Sequence, residues 1–291
     1  MSITIYYPEK EGKEWRNLLR NPLFEVIYDY ILTHENCILR ELKRDIQDKG
    51  LEKTLDLMID LKIVARDNRR YSILIVPKSE WNEQKSVIDL PKDRFSKEEW
   101  TVGFFEYLLS HPFKFKDVLF VERDSDLQKA INQFPIAQRL KEEKGLLVFH
   151  SFSQKSLERH TIGNFFERVE KNLPLTKKQQ AVYQLFGDAS PDYVLRAFGV
   201  WLLKFLKKDI VTFRRQEIFL QALVEFDYME QVDDRNYRLC VPYLENSGKG
   251  ATAYLKELLS DKSEFARLDC MRQILEELAD FIYMDYLSID E

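Results

Sequence analysis

Glycine and proline are scarce, with nine of each among 291 residues. This excludes a collagen-like repeat or a Pro/Gly-rich low-complexity polymer. It also leaves few helix breakers, which predicts long helices joined by plain loops. Cysteine is scarcer still. Cys37, Cys240 and Cys270 lie far apart with no CxxC pair, which excludes a disulfide scaffold and fits a reducing cytoplasm. No stretch approaches the ~18 consecutive apolar residues of a membrane span. The opening MSITIYYPEKEGKEW is charged by residue nine and lacks the apolar core of a secretory signal. The expected protein is cytoplasmic, with no membrane contact.

Signatures of chemistry are missing too. The four histidines, His34, His111, His150 and His160, show no i, i+4 pairing and no cysteine at ligand spacing, so no metal is expected. There is no G-x-S-x-G and no GxGxxG, and Ser247-Gly248-Lys249-Gly250-Ala251-Thr252 lacks the spacing of a phosphate loop. Cys37 reads as a small buried thiol near a helix start. Carboxylates are dispersed over helix faces, where solvation or i, i+4 pairing explains them. No catalytic residue and no cofactor are expected, and the chain reads as a non-enzyme.

What is present is core material. Hydrophobic residues make up 45 %, including 20 Phe and 14 Tyr, beside 32 % charged residues. The expected class is mainly α with small β-hairpins (α+β). The net charge of −5 is uneven: residues 251–291 hold four Lys/Arg against ten Asp/Glu, a net of −6, leaving +1 for the rest. Global acidity argues against a sequence-independent phosphate binder and leaves open one that confines its basic charge to one face.

The first segment is the most readable. Asn21-Pro22 places a capping residue before a proline. Leu23, Val26, Ile27, Tyr30 and Ile31 then mark a helix to about Thr33. A shorter helix carries Ile38, Leu39, Leu42 and Ile46, and a third carries Leu51, Leu55, Met58, Ile59 and Leu61. Ile63–Arg66, the basic turn Asp67-Asn68-Arg69-Arg70 and Tyr71–Val76 follow as a hairpin. Three helices and a hairpin are the order of a winged helix, assigned to residues 1–78. Residues 78–94 read as a linker. Ser96 and Glu99 then form a capping box, with Phe95 and Trp100 as hydrophobic staple. Beyond that helix, Phe115–Val121 reads as strand or helix and Leu127–Lys144 as a helix bent at Pro135. Leu146–Phe152 reads as a strand and Ile162–Lys171 as a helix. Residues 95–175 form a mixed middle region.

A second winged-helix-like unit is assigned to 176–246. Ser190-Pro191 repeats the cap, and Asp233-Asp234-Arg235-Asn236-Tyr237 before Val241-Pro242 parallels Asp67–Tyr71 before Val76-Pro77. Likewise Met58-Ile59-Asp60-Leu61 parallels Leu223-Val224-Glu225-Phe226, which points to an internal duplication. The acidic segment 251–291 reads as one long helix. Its Leu268, Met271, Leu275, Leu278 and Ile282 follow 3-4-3-4 spacing, suited to homodimerisation or to packing on its own domain.

Residues 5–77, with NPLFEVIYDYI and RDNRRYSI as marks, resemble a domain-of-unknown-function family of low-GC Gram-positive bacteria. The resemblance covers about a quarter of the chain and implies no activity and no site residues. The general winged-helix pattern implies duplex DNA as partner, with a protein partner as the other reading. Candidate contacts in the first unit are Lys49, Lys53 and Lys62 from the third helix, and Arg66, Arg69 and Arg70 from the hairpin. In the second they are Thr212, which ends a short strand read over Ile210–Thr212, Arg214, Arg215 and Gln216 at a helix entry, and Arg235 at the turn. Glu52, Asp56 and Asp60 among the lysines oppose a duplex. The alternative from another class is a small-ligand sensor or enzyme with its pocket in residues 95–175.

Overall fold

The structure, a computed structural model, describes residues 3–8, 12–80, 88–115, 117–142, 145–154, 161–214, 217–245 and 248–289. It is an α+β fold, mainly α, with sheets of two or three strands. Two compact units emerge, each built from two stretches of chain. Unit 1 comprises the described residues of Met1–Asn82 and Phe113–Ile131, and unit 2 those of Glu83–Pro112 and Asn132–Glu291.

Unit 1 begins with β1 (Ile3–Tyr6), α1 (Gly12–Leu19) and α2 (Leu23–Thr33). The Asn21 side chain accepts from the Leu23 N–H at 3.0 Å and donates to Thr54 Oγ1 at 2.8 Å, so the expected cap also ties the helix start to the third helix. The buried face of α2 is Phe24, Ile27, Tyr28 and Ile31. Val26 faces out, because Phe24 and Tyr28 bury more area than the aliphatic set the spacing suggested. Then come β2 (Cys37–Ile38), α3 (Leu39–Asp45), α4 (Leu51–Asp60), β3 (Val64–Asp67) and β4 (Arg70–Ile73), the strands pairing antiparallel in the order β2-β4-β3. The chain passes through α5 (Lys97–Ser110), which belongs to unit 2, and returns as β5 (Leu119–Glu122) to pair antiparallel with β1; α6 (Asp126–Asn132) follows. Phe120 on β5 is fully buried, its ring 5.2 Å from Tyr28, 6.2 Å from Trp15 and 6.4 Å from Phe24.

In unit 2, β6 (Pro135–Lys141) and β7 (Leu147–Gln154) precede α7 (Ile162–Glu170), α8 (Lys177–Phe186) and α9 (Pro191–Leu202). Next are β8 (Ile210–Thr212), α10 (Ile218–Glu225), β9 (Met229–Gln231) and β10 (Asn236–Leu239), with strand order β8-β10-β9. α11 (Lys249–Leu259), α12 (Glu264–Leu278) and β11 (Asp285–Ile289) end the chain, and β11 joins the sheet β11-β7-β6. One face of that sheet buries Phe149 and Leu287 against the α7–α10 core, and the other meets α5 through Phe152 and Tyr286.

Several expectations are corrected. The helix expected over Leu127–Lys144 stops at Asn132, and Pro135 opens a strand. Proline donates no N–H and biases the residue before it toward extended backbone, and β6 pairs along its length with β7. Lys144 lies outside the described residues. The single helix expected over 251–291 is two helices and a strand, divided where the Ser263 hydroxyl caps α12. Of the 3-4-3-4 seam, Met271, Leu275, Leu278 and Ile282 lie in unit 2's own core and Leu268 is buried as well, which is the packing on its own domain. The supposed linker is partly core: Ile88 and Leu90 are buried, and Lys92 accepts a hydrogen bond from the Trp100 indole at 3.0 Å; its residues 81–87 lie outside the described ones. Residues 95–175 divide between the units, 113–131 going to unit 1. The capping box stands as read, with Ser96 and Glu99 each accepting the other's N–H and Phe95 meeting Trp100 edge-on at 5.1 Å.

The repeated pattern runs further than the hairpins. α4 and α10 end alike: Lys62 and Asp227 are left-handed (φ 56° and 60°), and the next N–H reaches back to Met58 and Leu223, a Schellman cap. After each hairpin the chain makes a parallel bridge, Lys78 to Val121 and Tyr243 to Leu287. Ser96 caps α5 as Ser263 caps α12. These pairs keep an almost constant offset, from 165 residues (Met58 to Leu223) to 167 (Ser96 to Ser263). The bridged strand in each case pairs antiparallel with an early strand, β5 with β1 and β11 with β7. The halves also differ in described elements: nothing equivalent to α3 separates β8 from α10, β6 has no counterpart beside β1 and β5, α11 precedes α12 where nothing comparable precedes α5, three helices lie between β7 and β8 against two between β1 and β2, and α6 follows β5 alone.

α5 and α11 approach closely because Gly103 and Gly248 carry no side chain. A Cβ on Gly248 would lie 2.3 Å from the Gly103 nitrogen, and one on Gly103 would lie 2.4 Å from the Ala251 Cβ. Gly248→Ala meets backbone that cannot step aside. It is expected to lower stability by about 3 kcal/mol or more, the upper end for overpacking, read from the midpoint of urea unfolding; an unchanged midpoint refutes the contact.

Candidate nucleic-acid interface and a polar groove

The unit 1 hairpin turns through Asn68 (φ 48°) and Arg69 (φ 65°), a two-residue tip with both residues left-handed. Asparagine suits this backbone. Arginine does not: the left-handed region costs an ordinary L-residue about 1 kcal/mol, and glycine is the usual choice at this place. Arg69 is held out in solvent at the tip. Arg70 is partly committed, since its Nη1 donates to the Asn36 carbonyl at 3.0 Å and ties the hairpin to the turn before β2. Arg66 lies with its guanidinium 5.6 Å from the centre of the Tyr71 ring.

Lys49 and Lys53 are exposed at the other end of α4. Seven residues of helix separate Lys53 from Asp60, about 10 Å at 1.5 Å per residue, so the fold does not gather the lysines with the arginines. Lys62 is exposed at the cap between α4 and β3. Glu52, Asp56 and Asp60 are exposed along α4, and Lys43 forms an ion pair with Glu52. On the neighbouring turn, Asp45 accepts from Arg44 and from the Tyr30 hydroxyl at 2.7 Å, which holds its carboxyl well below the usual range.

In unit 2 the strand expected over Ile210–Thr212 is present as β8, while Arg214 lies short of the helix it was expected to enter. Thr212 ends β8 and donates its hydroxyl to Asn236 at 2.6 Å; Arg214 follows in non-helical chain, and α10 starts only at Ile218. Arg215 and Gln216 lie outside the described residues. α10 itself, IFLQALVE, has no Lys or Arg. Arg235 is at the turn, where its carbonyl accepts from the Phe213 N–H at 2.8 Å, so Thr212, Arg214 and Arg235 share one end of the sheet. Asp233 folds into that turn. It accepts the N–H groups of Arg235 and Asn236 and the Asn236 amide, and these bonds lower its pKa.

A second feature lies wholly in unit 2. The register of β6-β7-β11 aligns Arg139, His150 and Tyr286 in one row and Lys141, Val148 and Ser288 in the next, all on one face. α5 covers one end of this face. The remainder is the floor of a groove of about 860 Å³, walled by Leu206 and Tyr243–Glu245. Glu106 on α5 pairs with Arg139. His150 is only 4 % exposed; its ring stacks on Tyr286 at 4.3 Å, its Nε2 lies 2.8 Å from the Ser288 hydroxyl, and its Nδ1 has no partner. Burial, reinforced by the Arg139 charge, pushes its pKa down to about 3. The sequence does not reveal this groove, because residues 135–141 read as helix and the rows are assembled by register between positions 147 residues apart, Arg139 to Tyr286 and Lys141 to Ser288. The alternation of Arg139 and Lys141 was the available signal.

Among the described residues no cluster of His, Cys, Asp or Glu could hold a metal, and no helix is long and apolar enough to cross a membrane. Gly248 and Lys249 begin α11, where the glycine serves helix packing rather than a phosphate loop. His160 and Ser247 lie outside the described residues. Cys37 and Cys270 are buried and Cys240 is exposed, all as free thiols.

Residues 3–134 match the model of a family described as a domain of unknown function (DUF1803). The match starts with β1, runs through the first of the two related halves, and stops one residue before β6. No curated protein and no solved structure matches the chain.

His150 makes the stability of unit 2 pH-dependent. Its usual pKa is 6.5 and its folded value about 3, so between these values the unfolded chain binds a proton that the folded protein does not. This contribution is complete above about pH 6.5 and is lost as pH falls toward 3, at up to 1.36 kcal/mol per pH unit. Between pH 7 and 4.5 the protein should lose about 2 kcal/mol more stability than His150→Phe, measured by urea unfolding. Equal losses would exclude a buried neutral imidazole.

Proposed function

We propose that unit 1 is a winged-helix module and that the protein contacts duplex DNA through it, as a non-enzymatic cytoplasmic regulator. The observation that carries this reading is Arg69, an arginine held in the left-handed conformation at a hairpin tip where the turn itself favours glycine. Helix α2, strand β2, helices α3 and α4 and the hairpin β3–β4, with sheet order β2-β4-β3, support the winged-helix assignment. In such a module the hairpin reaches phosphate or the minor groove while α4 lies toward the major groove. Arg66, Arg69 and Arg70 then serve as backbone contacts, with Lys49 and Lys53 at the start of α4. The free thiols fit a reducing compartment. Unit 2, with no basic residue on α10 and no counterpart of α3, is assigned no role in reading DNA.

A second reading, a protein-interaction module, is favoured by the acidic stripe Glu52, Asp56 and Asp60 on α4, where a base-reading helix carries Arg, Asn or Gln. Fluorescence anisotropy on a mixed-sequence duplex separates the two. DNA contact predicts an affinity that falls with salt at a slope near −0.9 per neutralised phosphate. The combined variant Lys49→Ala, Lys53→Ala and Arg69→Ala should flatten that slope without altering the fold, as all three side chains are exposed. Absence of binding at about 50 mM salt would reject the DNA reading and turn the search to protein partners.

A further inference from the structure

In unit 1 the face of the β1–β5 pair that carries Thr4 and Val121 is covered by α6. The Gln128 side chain donates to Thr4 Oγ1 at 2.5 Å, the Leu127 N–H donates to the Ser79 carbonyl at 3.3 Å, and Leu127, Ile131 and Val121 are all buried. The closing pair of unit 2 repeats this frame position by position. Leu147 pairs with Ile289 as Ile3 pairs with Glu122, so Val148 and Ser288 take the places of Thr4 and Val121. The Leu244 N–H reaches the Leu287 carbonyl as the Lys78 N–H reaches that of Phe120, which puts Leu244 and Glu245 at the places of Lys78 and Ser79. Val148, Ser288, Leu244 and Glu245 all line the groove of unit 2, and no described helix follows β11 to cover them.

The groove therefore lies where a helix sits in the other half. α5 covers only the neighbouring row, its Phe105 meeting His150 and Tyr286 edge-on at 4.9 and 5.5 Å; in unit 1 the corresponding Tyr6 is stacked by Phe115. The lining points to an apolar contact. Val148 and Leu244 stand where unit 1 has Thr4 and Lys78, and Leu206 adds an exposed apolar wall. Ser288 in place of Val121 runs the other way, but its hydroxyl is matched to His150 Nε2 at 2.8 Å. A second copy's α6 cannot supply the helix without opening unit 1, where Leu127 and Ile131 are buried. We propose that this groove receives a short amphipathic helix from a partner protein, seated as α6 is in unit 1, with apolar residues at i and i+4 on Val148 and Leu244 and its first turn at Glu245. The site belongs to unit 2 and is independent of the DNA reading.

The test is selection of a display library of peptides of about twelve residues, long enough for two helical turns and their ends, on the full chain. Enriched sequences should carry apolar residues at i and i+4, and the best of them should bind in fluorescence anisotropy. A proline placed in the middle of that peptide should abolish binding, because a helix interior does not accept it. Leu206→Asp, at an exposed position, should leave the melting temperature of the unliganded protein unchanged. It should weaken the peptide by about tenfold or more, since it carries a carboxylate into an apolar contact. Ser288→Arg fills the floor and should abolish binding; if that variant fails to fold, Leu206→Asp still decides. The proposal is overturned if no sequence is enriched, if the enriched peptide tolerates the proline, or if its affinity is the same for the folded variants as for the unaltered protein.

Discussion

Each half of this protein depends on a strand pair whose members are distant in the chain. Ile3 pairs with Glu122, and Leu147 with Ile289. Closing loops of that length costs about 4 kcal/mol of chain entropy beyond the fixed cost, and this must be recovered where the strands meet. In unit 1 the recovery centres on Phe120, whose ring lies among Trp15, Phe24 and Tyr28; burying such a side chain contributes about 1.5–3 kcal/mol. In unit 2 Leu287 and Tyr286 bury opposite faces of the closing strand in two cores. The parallel bridges from Lys78 and Tyr243 fasten the segment after each hairpin to the same strand. The position of each hairpin therefore follows from the closure.

What could be read from the sequence was what is decided locally. The capping box at Ser96, the cap at Ser190-Pro191 and the hairpin from Asp67 to Arg70 all rest on contacts a few residues apart. The C-terminal seam was legible as an apolar face but not as to its partner, because 3-4 spacing is common to a coiled coil and to a helix lying on its own domain. β6 was illegible for a different reason: Gln138, Arg139 and Lys141 favour no strand, and only pairing with β7 makes them one. The candidate hairpin arginines sit together as their turn chemistry implied. Thr212 ends a strand as the Ile210–Thr212 run implied, whereas Arg214 does not enter a helix, since α10 begins only at Ile218.

The halves share a frame and differ in what they place on it. The first retains α3 before α4 and carries three arginines on its hairpin; the second lacks that helix, turns Asp233 into its hairpin and adds β6. These differences leave the closing pair and the Schellman caps common to both halves. A frame held by distant strand pairing tolerates such exchanges because the altered elements lie outside the closure.

The path of α5 has a consequence for synthesis. Chain made before residue 112 includes a helix whose Trp100, Phe104 and Phe105 are buried only in unit 2, against α11, α12 and the β7–β11 sheet. Those elements are translated as much as 179 residues later, counting from Ser110 to Ile289. At elongation rates of about 5–20 residues per second that is roughly ten to thirty-five seconds. The nascent protein thus carries an aromatic helix without its partners for the greater part of its translation, while all of unit 1, including β5, has been made soon after that helix. The tandem arrangement supplies those partners within the same polypeptide.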